Sequence, residues 1–249
     1  VDGGIVYPRT LIQFLGTGTG DEPGKVFAFE NLGVQAQWYH ELALGFGRQI
    51  SDRLSIGVRA KALSGIAGIN IDDVAGAFIS DIDSLYIYTS PINIYTAGAS
   101  LFENGGADDI FGRATAFNNV GYAFDFGFNF EVIDNLIISA SINDLGAINW
   151  ENDTKLYKIN EVSYSFKGED FLEVVDGNTN FDAFSEIPDS LGVLYDPEVI
   201  ENVSYRTSLT TKFYAGANYN LGEMHSFGAL LYGDVFKGTF NPGFGLSYN

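Results

Sequence analysis

The sequence predicts an all-β chain, an antiparallel transmembrane β-barrel, and three observations carry that prediction. The first is the pattern between Val120 and Asn143. Val120, Tyr122, Phe124, Phe126, Phe128 and Phe130 are bulky and apolar, whereas Gly121, Ala123, Asp125, Gly127 and Asn129 between them are small or polar. After a break at 132–135 the period of two resumes, with Leu136, Ile138, Ala140 and Ile142 on one face and Ser139, Ser141 and Asn143 on the other. A greasy outer face, a small polar inner face and runs of about ten residues suit tilted strands that cross a bilayer. The second observation is composition: 15% aromatic residues and 30 glycines favour strands and turns over helices. The third is that short turns alternate with long acidic segments, as in outer-membrane barrels.

Taken in order, the first hairpin begins with Trp38, Leu42, Leu44 and Phe46 on one face and Glu41, Ala43 and Gly45 on the other. A tight connection at Ser51-Asp52-Arg53 leads into a return run. There Leu54, Ile56, Val58, Ala60 and Ala62 oppose Ser55, Gly57, Arg59 and Lys61, so both cations face the lumen. On the lipid face near the midplane either cation would cost about 2–4 kcal/mol. The second hairpin is the one at 120–143. Tyr157, Ile159, Val162, Tyr164 and Phe166 predict strands that continue beyond the membrane. A third hairpin runs from Tyr205 to about Phe236, with Tyr205, Leu209, Phe213, Ala217 and Tyr219 alternating against inward Arg206, Ser208, Lys212 and Asn218, and turns at 221–225. A last run sets Phe244, Leu246 and Tyr248 against Gly243, Gly245 and Ser247. The turns at 51–53, 132–135 and 221–225 are expected on the periplasmic side and the long segments outside the cell.

At 249 residues one barrel domain over 1–249 is expected. The absence of Cys excludes a disulfide framework, thiolate catalysis and Cys-based metal sites. No apolar run is long enough for a membrane-spanning helix, and a mean hydropathy near zero fits alternating strands. Residues 1–4 carry no basic or apolar leader, so a signal peptide is expected to be removed or to lie upstream. Of the net charge of −19, two stretches hold 16: Gly65 to Asn118, with seven acids against one base, and Gly146 to Val203, with thirteen against three. Charge is thereby kept off the alternating runs. An acidic surface also argues against a nucleic-acid partner.

Candidate chemistry is sparse. His40 and His225 are the only histidines, on separate elements, and no nucleophile motif accompanies them, so no enzyme activity is expected. Asp72-Asp73, Asp81-Ile82-Asp83 and Asp108-Asp109 offer calcium-type oxygens, Asp81 and Asp83 being the weak candidates. EF-hand spacing is absent, and solvated loop acids are the simpler reading. Gly16-Thr17-Gly18-Thr19-Gly20 lacks the Lys-Ser or Lys-Thr and the following helix of a phosphate loop, and reads as a mobile loop. Arg59, Lys61, Asp125, Arg206 and Lys212 are charged at positions whose neighbours make them inward-facing. They line a permeation route or bind an anion on one reading; on the favoured one they pair across the lumen and fill it. No cofactor is expected.

Several segments resemble a Bacteroidota family of outer-membrane β-barrels of unassigned function. They are Tyr39-His40-Glu41-Leu42-Ala43-Leu44-Gly45-Phe46-Gly47-Arg48, then Leu54 to Lys61 with Leu63-Ser64-Gly65, then Ile142-Asn143-Asp144-Leu145-Gly146-Ala147-Ile148-Asn149-Trp150, and Lys212 to Ala217. Those barrels are similar to the FadL-like group, which includes the PorV type of subunit associated with type IX secretion. The resemblance implies a larger barrel of roughly 14 strands, incomplete here at both ends. It implies a place in the outer membrane among lipid and lipopolysaccharide, with other outer-membrane or periplasmic proteins as partners. Asp83-Ser84-Leu85 and Asp189-Ser190-Leu191 resemble a Bacteroidota O-glycosylation acceptor, making Ser84 and Ser190 modification candidates. The expected role is an accessory or scaffold subunit of a secretion or barrel-assembly complex. A FadL-like transporter of a small hydrophobic or anionic solute is one alternative. A soluble lipocalin-like binding barrel, with its bulky faces turned inward and charge outside, is the other.

Overall fold

The computed structural model describes residues 1–17, 24–81, 84–101, 112, 118–167, 197–222 and 224–249. Three tight turns organise it. β2 (Val26–Ser51) returns as β3 (Leu54–Ser80), β6 (Asn119–Ile133) as β7 (Leu136–Trp150), and β12 (Thr211–Leu221) as β13 (His225–Phe236), followed by β14 (Thr239–Tyr248). Antiparallel pairing joins these hairpins in the order β2-β3-β6-β7-β12-β13-β14, with the three turns at one end of the wall. The registers run from Leu54↔Phe130 to Gly65↔Asn119 between β3 and β6, and from Lys212↔Asn143 to Tyr219↔Leu136 between β12 and β7.

Away from the turns the wall changes partners. Beyond Gly65, β3 leaves β6 and pairs instead with β5 (Ile92–Ala97) and then β4 (Ser84–Thr89). To these are added β8 (Thr154–Ile159), β9 (Val162–Lys167) and β10 (Glu198–Glu201), while β1 (Asp2–Val6) lies along β2 and β11 (Tyr205–Ser208) along β7. The described strands thus form one antiparallel sheet of 14 strands, which is open: β14 pairs only with β13. The sheet curls, because strands far apart in its order touch. Gln35 of β2 donates to the Ser208 carbonyl at 2.8 Å, and Lys237 in the β13–β14 turn reaches Asn70 of β3 at 2.8 Å.

The all-β expectation holds at that level, with the hairpins at 38–62 and 120–143 and the continuing strands near 157–166 in place. β2 and β3, at 26 and 27 residues, run far past the stretches the alternation marks. Bulges between Phe29 and Val34 and between Trp38 and Tyr39, with Asn31 at φ 59°, break the period of two and hide the continuation. A helix, α1 (Arg9–Thr17), follows Pro8 and takes in Gly16-Thr17, the first two residues of the glycine run expected to be a mobile loop. Phe14 of α1 stacks on Phe78 with centroids 4.3 Å apart. Residues 18–20 of the glycine run, Asp83, Asp108-Asp109 and the 189–191 acceptor lie outside the described residues.

The third hairpin needs correction. It is two strands in line, β11 and β12, separated by Leu209-Thr210, and the faces do not stay in phase across that join. Thr207 and Leu209 are buried, 3% exposed each, and Arg206 and Ser208 are exposed. Lys212, on the other side of the join, faces inward, as its register with Asn143 requires. Unpaired residues between collinear strands flip every later side chain to the opposite face, which a single alternating pattern cannot express. Tyr205 and Leu209 are accordingly inward, while Phe213, Ala217 and Tyr219 face outward as expected.

Candidate functional site

The centre of the inner face is a cluster of charges, and a bulge builds it. Phe124 pairs with Leu145 and Phe126 with Ile142, so Asp125 alone opposes two residues, Asn143 and Asp144. Asp144 takes the left-handed conformation, φ 61°, which Asp tolerates better than most residues. The bulge turns its side chain to the inner face beside Asn143. The Asp144 amide donates to Asp125 Oδ1 at 2.8 Å, locking the two carboxylates side by side.

Three cations answer them. Lys61, whose side chain is 6% exposed, places Nζ 2.5 Å from Asp144, 2.9 Å from Asp125 and 3.8 Å from Glu41. Lys212 Nζ lies 3.0 Å from the other Asp144 oxygen, and Arg59 approaches Asp125 Oδ2 at 3.9 Å. Three cations therefore face three carboxylates. A buried ammonium is tolerable only when charge and hydrogen bonds are both answered, as they are for Lys61.

Of the five residues the sequence marks as lumen-lining, the structure brings together Arg59, Lys61, Asp125 and Lys212 and excludes Arg206, which sits on the outer face of β11 opposite Asn149. Glu41 and Asp144 complete the cluster without having been singled out. The signal for Asp144 is present in retrospect: Asn143-Asp144 puts two polar residues in succession inside a strand, the mark of a bulge.

The regions on either side of the cluster differ. Toward the turns the inner face is small and open, a trough of about 630 Å³ lined by residues such as Ser55, Gly57, Gly127, Ser139 and Ser141. Away from the turns it is a dry core. Leu63, Ala123, Ile148, Trp150 and Leu209 are all under 4% exposed, with Tyr39 and Tyr205 packed against them. Gly65 and Gly68 make room for the Trp150 ring: a Cβ on Gly65 would lie 2.5 Å from it. Trp150 Nε1 donates to Thr207 Oγ1 at 2.7 Å, and Thr207 donates to Gln37 Oε1 at 2.7 Å. Gln37 donates on to Asp2 Oδ2, which also accepts the Thr210 amide at 3.0 Å. Burial raises the Tyr205 phenol above its ordinary pKa, and its hydroxyl has no partner among the described residues.

The other candidates stand apart from this site. His40 lies on β2 opposite Ser64, and His225 Nδ1 meets the Tyr248 hydroxyl at 2.7 Å near the turn end. Asp81 is exposed at the end of β3, and Asp72 pairs with Lys237. Among the described residues no group of three or more His, Cys, Asp or Glu is arranged to hold a metal ion. Ser84 opens β4, opposite Lys167. A second, polar cavity of about 650 Å³ lies by the β13–β14 turn and includes Asp73, Arg206 and Lys237 in its wall.

An open, curled antiparallel sheet with an apolar outer face and a charge-filled inner one defines the class. The chain belongs to the DUF5723 family, a family of unknown function, whose match spans residues 1–249. No curated protein and no solved structure matches it.

Proposed function

We propose that the chain is the bilayer-embedded wall of an outer-membrane β-barrel of a Gram-negative cell, acting without catalysis as an accessory or scaffold subunit of a larger complex for protein secretion or barrel assembly. One observation carries this reading. The row Tyr122, Phe124, Phe126, Phe128 and Phe130 is 37–52% exposed on the outer face, while Ala123 behind it is fully buried. Leu42, Leu44 and Phe46 on β2 and Phe244 and Leu246 on β14 extend the same belt, from 63% to 80% exposed. Apolar surface this continuous marks contact with lipid or protein. It runs against the lipocalin-like arrangement, in which those residues would point inward.

A filled interior favours a scaffold over a pore. The Trp150 core and the paired charges occupy the lumen side of the described strands. The edges of β2 and β14 within the belt present backbone groups that a bilayer leaves unsatisfied, so on this reading further strands complete the barrel. The trough of about 630 Å³ is the observation that favours the second reading, a FadL-like transporter of a small solute. Extraction of the native protein in mild detergent, with mass spectrometry of what co-purifies, separates the two. Stoichiometric protein partners are expected; a solitary barrel would favour transport, and recovery in the soluble fraction without detergent would overturn both.

A further inference from the structure

We infer that Arg59 forms the cationic end of a binding site for a small oxyanion, a phosphate ester or a carboxylate, held in the trough on the turn side of the ion cluster. The three cations of the cluster are not equivalent. Lys61 is enclosed by Asp125, Asp144 and Glu41, and Lys212 is bound to Asp144 at 3.0 Å. Arg59 keeps 55% of its side chain exposed, and its only ion pair among the described residues is the 3.9 Å approach to Asp125 Oδ2, beyond hydrogen-bond distance. Asp125 is already engaged, because its Oδ1 accepts from Lys61 at 2.9 Å and from the Asp144 amide at 2.8 Å. The guanidinium therefore turns a fork of N–H donors, shaped for bidentate recognition of an oxyanion, into the trough.

The trough supplies the rest of a ligand site. Its volume of about 630 Å³ falls within the range of small-molecule pockets, and among the described residues Asp125 is the one acid in its wall. The hydroxyls of Ser55, Ser139 and Ser141 add donors, and Gly57 and Gly127 leave the space between them unfilled. Around Arg59 these glycines and serines suit the headgroup of such an anion, and Ile56, Phe126, Phe128 and Leu230 also contribute to the wall. The inference takes from the proposed function that this inner face is a lumen, where an ionisable residue facing a water-filled cavity marks a functional position. It holds for a scaffold and for a conduit alike.

The test is calorimetric titration of the purified full-length chain with glycerol 3-phosphate, glycerate and neutral glycerol at constant ionic strength. Saturable binding of either anion, with glycerol inert, is expected. The phosphate alone, the carboxylate alone or both identifies the headgroup preferred. Arg59→Gln should weaken the preferred anion at least about tenfold, Arg59→Lys by less, and Arg48→Gln on the outer face by less than about twofold. Circular dichroism of each variant confirms folding, and Arg59→Lys carries the comparison if Arg59→Gln does not fold. Absence of anion binding, binding of glycerol as strong as that of the anions, or equal affinity in the Arg59 variants overturns the proposal. The titration reads the same in detergent or in plain buffer, so its outcome is distinct from that of the membrane reading.

Discussion

The two halves of the wall use one β alternation with opposite meanings. In the half that holds the turns, bulky side chains point out and small ones in: Phe126 is 46% exposed where its inward neighbour is Gly127. In the far half the bulk points in, and Ile148 and Trp150 on the same β7 are fully buried while outward Asn149 carries the polar group. The exchange happens at the charge cluster, where the Asp144 bulge and the join between β11 and β12 reset the phase. The far half is built like a water-soluble domain, whose stability comes from a dry interior. The turn half has little apolar interior, and on the proposed reading the bilayer around it supplies that stability.

The strongest way to sharpen that contrast is Trp150→Ala. It empties a fully buried site and removes the N–H whose hydrogen bond the Thr207 hydroxyl accepts, for an expected loss of about 3–5 kcal/mol in denaturant unfolding. The same truncation at Phe126 should cost much less in detergent, since that ring is exposed in the fold. Equal losses at the two positions would break the comparison. Close behind comes Lys61→Met, which leaves Asp125 and Asp144 facing each other without the ammonium between them. A loss of about 3–5 kcal/mol is expected, and Asp144→Asn in the same chain should recover part of it in a double-mutant cycle.

Much of the turn half is legible in the sequence because each residue there answers to one rule. Phe124, Phe126 and Phe128 alternate with Asp125 and Gly127 without interruption, and Arg59 sits opposite Asp125 as the pattern requires. The far half is less legible because its geometry comes from irregularities. The bulge that aims Asp144 inward, the Leu209-Thr210 join that sends Arg206 outward, and the breaks at Asn31 and Trp38 in β2 each shift the phase by one residue. A one-residue slip exchanges the faces of a whole strand, so small local features decide large assignments. Trp150 appears within a resembling segment, yet its role as the centre of a core depends on Gly65 and Gly68, which lie about 80 residues earlier in the chain.

A third prediction separates the surroundings of the two halves. Phe126→Arg places a cation in the middle of the apolar belt, and folding into phospholipid vesicles should lose about 2–4 kcal/mol. The same arginine at Asn149, on the outer face of the far half, should be nearly silent in the vesicle assay. If Phe126→Arg is silent as well, the belt does not face lipid. The exposed aromatic row would then belong against another protein.

The smallest effect tests the facing of a single side chain. Arg206 and Lys212 lie six positions apart in the sequence and look alike in a strict alternation, yet Arg206 is exposed on the outer face and Lys212 is held at 3.0 Å by Asp144. Arg206→Gln should change stability by no more than about 0.5 kcal/mol, as for an exposed side chain with no hydrogen bond or ion pair among the described residues. Lys212→Gln removes a charge-assisted hydrogen bond from a half-buried carboxylate and should cost about 1–2 kcal/mol, discounted because the lysine itself is 44% exposed. Thermal unfolding of the two variants side by side reads the difference. Equal losses would mean that Arg206 shares the inner face with Lys212, and that the strand keeps its phase through Leu209 and Thr210.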